Sequence, residues 1–328
     1  MIIRLCGAAI ALTTTTGAAA SLVLTTRSAP GPPACPPQTA TATTPSQLAG
    51  ALTHAKPGDV IQIAPGTYEG DWTATTSGTP DKPIWLCGGP RATLTNSSGY
   101  GLHLDGASWW HLYGFSVAQA KKGVVIDAGA HIRVERLNVH DVGDEGVHLR
   151  RNTVHSSVVD SLVHSTGLDH DEWGEGVYIG SAANNWPAYT AGEPDRSDRN
   201  TVRGNTIYDT TAEPIDVKEG TTGGLIDGNT LDAGALTESG GDSCADIKGN
   251  DWTISKNTCI RSRNDGWQTH LKEDHGTWGL RAAFTANTVA LENPDGQGFA
   301  IDAPTTTHTS VGCDNYVTTG TYANTPCT

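Results

Sequence analysis

Long helical periodicity is missing from this chain, and methionine is nearly absent, with 1 residue in 328. A bundle of long amphipathic helices is therefore excluded. Positive charge is scarce. Lys and Arg number 21 against 35 Asp and Glu, for a net charge of −14. Such a chain is no general magnet for polyanions, and nucleic acid is not an expected partner. There is no Cys-x-x-Cys pair and no Cys/His cluster to suggest zinc. No Gly-x-Ser-x-Gly elbow supports a serine nucleophile. The first apolar run is cut by Thr13–Thr16, well short of a membrane span.

What is present is repetition. Glycine is abundant, with 39 residues, and Thr, Asn and Asp are frequent, as many short strands and tight turns require. From about Gly101 a pattern returns every 22 to 30 residues: a Gly, an alternating apolar strand, a turn, and a second strand ending in Asn-Thr. The clearest endings are Asn205-Thr206, Asn229-Thr230, Asn257-Thr258 and Asn287-Thr288. One such unit cannot bury its own apolar face, so the units must stack. The expected fold is all-β: a single-stranded, right-handed parallel β-helix closed by an N-terminal cap. Within the cap, Leu48 to Ala55 reads as a short helix, and the segment from Lys56 to Tyr68 as turn, strand and turn.

Residues 1–29 read as a signal peptide, with Arg4, an apolar stretch and small residues at Ala18–Ala20 or Ala29 for cleavage. Residues 30–45 read as a Pro/Thr-rich linker and 46–328 as the β-helix domain. Loss of Arg4 and Arg27 with the signal takes the net charge from −14 to −16. Loss of Cys6 leaves six cysteines, an even number suited to disulfides in an exported chain. Sequence proximity favours Cys35–Cys87, Cys244–Cys259 and Cys313–Cys327. The expectation is a secreted, extracellular, monomeric protein.

Aligning the first strands of successive units gives columns, because strand side chains alternate and neighbouring coils lie about 4.8 Å apart. Val147, Val177 and Ile215, with Leu149, Ile179 and Val217, should point inward. The outward columns read His148, Tyr178, Asp216, Asp246, Gln268 and Arg150, Gly180, Lys218, Lys248, His270. A further row holds Glu145, Glu175, Glu213 and Asp265. Strict alternation gives Glu213 the inward parity of Ile215, so the turn at the strand entrance has to redirect it. The segments Asn184–Asn200 and Lys272–Arg281 enlarge their coils. Their aromatic residues Trp186, Tyr189 and Trp278 are candidates to stack on sugar rings.

These side chains suit an acidic extracellular polysaccharide. β-Elimination needs a base for the proton alpha to the uronate carboxyl and a group that neutralises that carboxylate. Lys218 is the candidate base. Lys248, with Arg150 or His270, would stabilise the carboxylate or protonate the leaving oxygen. Glu213 and Glu175, with Asp216, are the candidate calcium ligands. His148, Tyr178 and Gln268 complete the substrate-binding surface.

The stretch Thr211-Ala-Glu213-Pro-Ile-Asp-Val-Lys218-Glu resembles the catalytic strand of polysaccharide lyase family 6, which contains alginate lyases and chondroitinase B. The resemblance implies that Glu213 binds calcium and that Lys218 is the base. Thr211 stands where the family has an acid, and Lys248 is offered where the family has an Arg. Two other chemistries fit the same patch. Asp216 and Asp246 on neighbouring coils could work as acid and base of a glycoside hydrolase. A non-catalytic solenoid could bind glycans on the same columns and would tolerate loss of Lys218.

Overall fold

The computed structural model describes residues 35–328. The expected signal peptide and the first part of the linker lie outside the described residues. The chain winds into a parallel β-solenoid. One face is an eleven-stranded parallel sheet running from Ala40–Ala42 to Ser310–Val311. A second runs from Gly66–Glu69 through Asn138–Val142 and Thr206–Thr210 to Tyr316–Thr319. The third carries the columns read from the sequence. Its strands Val147–Arg150, Val177–Ile179, Ile215–Val217, Ser243–Ile247, Asp265–Thr269 and Gln297–Ile301 pair in parallel order.

The inward column of this third face is Val147, Leu149, Val177, Ile179, Ile215, Val217, Ala245 and Ile247, all fully buried. The repeated glycine at each strand entrance has a steric cause. A Cβ on Gly146 would lie 2.5 Å from Val163 Cγ1 and 2.7 Å from the Gly176 carbonyl. Any side chain there would push the coils apart.

The Asn of each Asn-Thr ending is buried. Asn205, Asn229, Asn257 and Asn287, continued by Asn315 before Tyr316, form a ladder inside the turns. Each of the first four donates its backbone N–H to the side-chain oxygen of the next, at 2.8 to 3.0 Å. Their side-chain amides bond the carbonyls of Val158, Val202, Ile226, Ile254 and Phe284. The ladder satisfies polar groups that a tight turn would otherwise strand away from water.

The N-terminal opening is closed by the helix Pro45–Thr53, which buries Leu48 and Leu52 and is capped by the Thr44 hydroxyl. Residues 35–45, expected as part of a linker, belong to the fold instead. Ala40–Ala42 pairs with Val60–Ile63, and Cys35 is bonded to Cys87. Pro- and Thr-rich composition hid a strand that caps an edge. The other two disulfides, Cys244–Cys259 and Cys313–Cys327, follow the proximity pairing.

Candidate active site

Register brings the outward columns together as read. Val147, Val177 and Ile215 align, so His148 stands beside Tyr178 and Tyr178 beside Asp216. Asp216 pairs with Asp246, and Asp246 with Gln268. Glu175 and Glu213 occupy matching strand entrances, and the turn there carries Glu213 out of the core.

Asp216 is the hub. One of its oxygens lies 2.6 Å from Lys218 Nζ and the other 3.0 Å from Lys248 Nζ. Lys248 also reaches Asp246 at 2.7 Å, and His270 lies 3.2 Å from the same Asp246 oxygen. Burial alone would make Lys218 less basic, but Asp216 outweighs it and holds the ammonium well above its ordinary pKa. Lys248 is raised in the same way by Asp216 and Asp246. Asp246 is held well below the usual carboxylate range by Lys248 and His270, against the effect of burial.

Tyr178 lies between the cations and the acids. Lys218 Nζ is 5.0 Å from its ring centroid, and the His148 ring meets it edge-on at 4.4 Å. His148 donates Nε2–H to the Gly180 carbonyl at 2.9 Å, which fixes its ring. Burial and then the neighbouring Glu175 push the Tyr178 phenol well above its ordinary pKa. The phenol therefore keeps its proton.

Above these residues opens a cleft of about 490 Å³. Tyr178 and Lys218 lie on its floor beside Glu175, and Lys122, Trp173 and Tyr189 form its walls. Lys122 is bonded to Glu145 at 2.7 Å. Arg150 stands off from Lys218, with Gly180 between their coils. Its guanidinium is fixed by Asp127 at 2.7 Å and Tyr100 at 3.1 Å, under the Tyr189 ring. His270 and Gln268 face a separate cavity of about 400 Å³ toward the C-terminal end.

Glu175, Glu213 and Asp216 each place a carboxylate oxygen within 4.8 Å of the others. Burial, then Asp246 and Asp216, raise Glu213 to about 8. Burial, then Glu145 and Asp216, raise Glu175 well above its ordinary value. Glu175 Oε2 is buried without a hydrogen-bond partner among the described residues. Crowded buried carboxylates with a spare oxygen suit a hard cation with oxygen ligands. Asp242, overlooked in the sequence, forms a second such group with Glu213 and Asp246.

Two sequence expectations are corrected. Trp186 and Trp278 are not sugar platforms, because they are only 2% and 5% exposed. Trp186 donates its indole N–H to the Ser181 carbonyl, and Trp278 to the Asp274 carbonyl. Arg196 of the long loop lies over the Trp278 ring, so these aromatics hold the loop and the hairpin in place. The exposed aromatic at the cleft is Trp173, at 47%. It follows Glu172 in a single turn (Asp171–Trp173) that no repeat signals.

A family model, Pel9A-like right-handed beta helix region, matches residues 35–179. An alginate lyase from Paenibacillus sp. str. FPU-7 shares 32% identity and a TM-score of 0.80, over 87% of this chain and 97% of that one. The chain belongs to this family of right-handed β-helix polysaccharide lyases. The pectate lyase Pel9A has the same fold at 12% identity and a TM-score of 0.66, over 88% of this chain and 79% of that one. A rhamnogalacturonan lyase follows at 14% identity and a TM-score of 0.53, over 74% of this chain and 68% of that one. No curated protein sequence matches the chain.

Proposed function

We propose that the protein cleaves a uronate-containing polysaccharide, with alginate the first candidate, by β-elimination in the cleft above Tyr178 and Lys218. The observation that carries this reading is the pairing of a lysine and a protonated tyrosine on the cleft floor beside a row of carboxylates.

Lys218, as the free amine, takes the proton from C5 of the uronate. The C5–H electrons become an enolate shared with the carboxyl group and then form the C4=C5 double bond as the C4–O bond breaks. The leaving oxygen takes the Tyr178 phenol proton. Lys218 then carries the C5 proton while Tyr178 is one proton short, and the Lys218 Nζ lies 5.0 Å from the Tyr178 ring centroid. Return of that proton, directly or through one water, resets both groups. Asp216 stabilises the ammonium that forms, at the expense of the amine population in the resting site.

Glu175, Glu213 and Asp216 are the residues that would hold calcium. When bound there, the ion would neutralise the substrate carboxylate and make the C5 proton more acidic. Lys122 supplies positive charge to the same cleft without it. Three disulfides support an oxidising, extracellular setting. The helix Pro45–Thr53 closes the N-terminal end of the solenoid, which supports action as a monomer.

Hydrolysis by Asp216 and Asp246 fits less well. Lys248 bridges both carboxylates, and Asp246 is held too acidic to keep a proton for a leaving group. Incubation with alginate, polygalacturonate and glycosaminoglycans, followed by analysis of the new chain ends, separates the readings. Unsaturated uronate ends support elimination. Saturated ends with new reducing termini support the hydrolase, and binding without new ends supports a glycan-binding protein.

A further inference from the structure

The catalytic cleft continues toward the N-terminal coils. A second cavity of about 700 Å³ adjoins it, and Tyr100 and Lys121 line both. The far walls of this second cavity carry amide, hydroxyl and carboxylate groups, among them Asn96, Ser97, Ser98, Glu69 and Asp71. Lys121 is exposed and has no acidic partner among the described residues. The neighbouring Lys122, by contrast, is bonded to Glu145. Tyr100 is fixed, with its hydroxyl accepting from Arg150 at 3.1 Å and its ring edge-on to His103 at 5.1 Å.

We propose that Lys121 and Tyr100 form a remote subsite that binds a uronate carboxylate of the same polysaccharide chain, on the N-terminal side of the cleavage point. This inference rests on the lyase reading and adds the direction and reach of the bound polymer. The Lys121 strand, Ser116–Asp127, is three parallel pairings from the Lys218 strand, by way of Val147–Arg150 and Val177–Ile179. Three steps are about 14 Å along the solenoid axis. Asp127 is the residue in register with Lys218, and Lys121 lies further back, at the strand's entrance side. One sugar of an extended polysaccharide spans about one coil step, so Lys121 meets a carboxylate at least about three residues from the reacting one. Beyond it the walls offer hydrogen-bond partners for hydroxyl groups and no further unpaired lysine. Charge recognition on this side therefore ends at Lys121.

The test compares wild type with Lys121→Ala on uronate oligosaccharides of increasing length. Chains that reach the subsite should show KM raised roughly fivefold, the order expected of one exposed ion pair, with kcat unchanged. Chains too short to reach it should show no change. An equal effect at every length, or none at any length, overturns the subsite while leaving the lyase reading standing. A wild type that forms no unsaturated product overturns the lyase reading. In that case, polyuronate binding to Lys218→Ala protein, with and without Lys121→Ala, still decides the subsite. A roughly fivefold loss of affinity supports it, and equal affinity overturns it.

Discussion

At the scale of single residues the site is a contest over protons. Lys218 is half-buried beside the buried Asp216, and the carboxylate wins, so the resting side chain is an ammonium. Only the amine can take a proton. The account therefore predicts that kcat/KM rises with pH from neutral into the alkaline range. A rate that falls over that range would assign the base to a group of low pKa. Tyr178→Phe should retain the fold and lose roughly 10²- to 10⁴-fold in kcat, the usual contribution of a proton donor. Glu213 gives a test free of turnover. Its pKa rises from an ordinary 4.5 to about 8 through burial and then Asp246 and Asp216. The folded protein thus holds a proton there that the unfolded chain has lost, and stability falls as pH rises from 4.5 to about 8. Glu213→Gln should match wild type near pH 4.5 and exceed it at pH 8, by roughly 4 kcal/mol in thermal unfolding with chelator present. Calcium should raise the Tm of wild type at pH 8 and leave Glu213→Gln little changed.

At the scale of strands and turns, the columns were legible because a two-residue alternation repeated at a fixed coil length leaves one consistent register. His148, Tyr178, Asp216, Asp246 and Gln268 stand side by side as that register requires. The Asn-Thr endings were legible as a repeat, but their buried ladder emerges only when the coils stack. Asn257 accepts from Asn229 and donates to Ile226 and Asn287. Asn257→Ala should cost about 3 kcal/mol by leaving two buried Asn229 donors unpaired, and Asn205→Ala, at the start of the ladder, less, because it strands only the Ser161 N–H. Chemical denaturation of both variants checks the order. The loops were less legible. An aromatic side chain in a loop has the same sequence signature whether it anchors the loop, as Trp186 and Trp278 do, or stays open to a cleft, as Trp173 does. Distant partners decide which: Trp278 is held under Arg196, on the other insertion.

At the scale of the whole molecule, on the proposed reading, an acidic protein meets an acidic polymer through lysines gathered in one cleft. The net charge of −14 opposes general polyanion binding, while Lys121, Lys122 and Lys218 line the one place where a uronate chain would lie. The ends of the solenoid are pinned by Cys35–Cys87 and Cys313–Cys327. Reduction should lower the Tm, because the chain-entropy view values the 52-residue Cys35–Cys87 span at roughly 4 kcal/mol and each of the two shorter spans at roughly 3 kcal/mol. The β-helix itself was legible from repeat length and glycine placement. The start of the fold was not, because the residues around Ala40 gain strand identity only from Val60–Ile63 beside them. The most direct test of the central claim follows the ultraviolet absorbance of unsaturated uronate ends as wild type and Lys218→Ala act on alginate. The account predicts a steady rise with wild type and none with Lys218→Ala, which still binds the polymer. An equal rise with both proteins would contradict it.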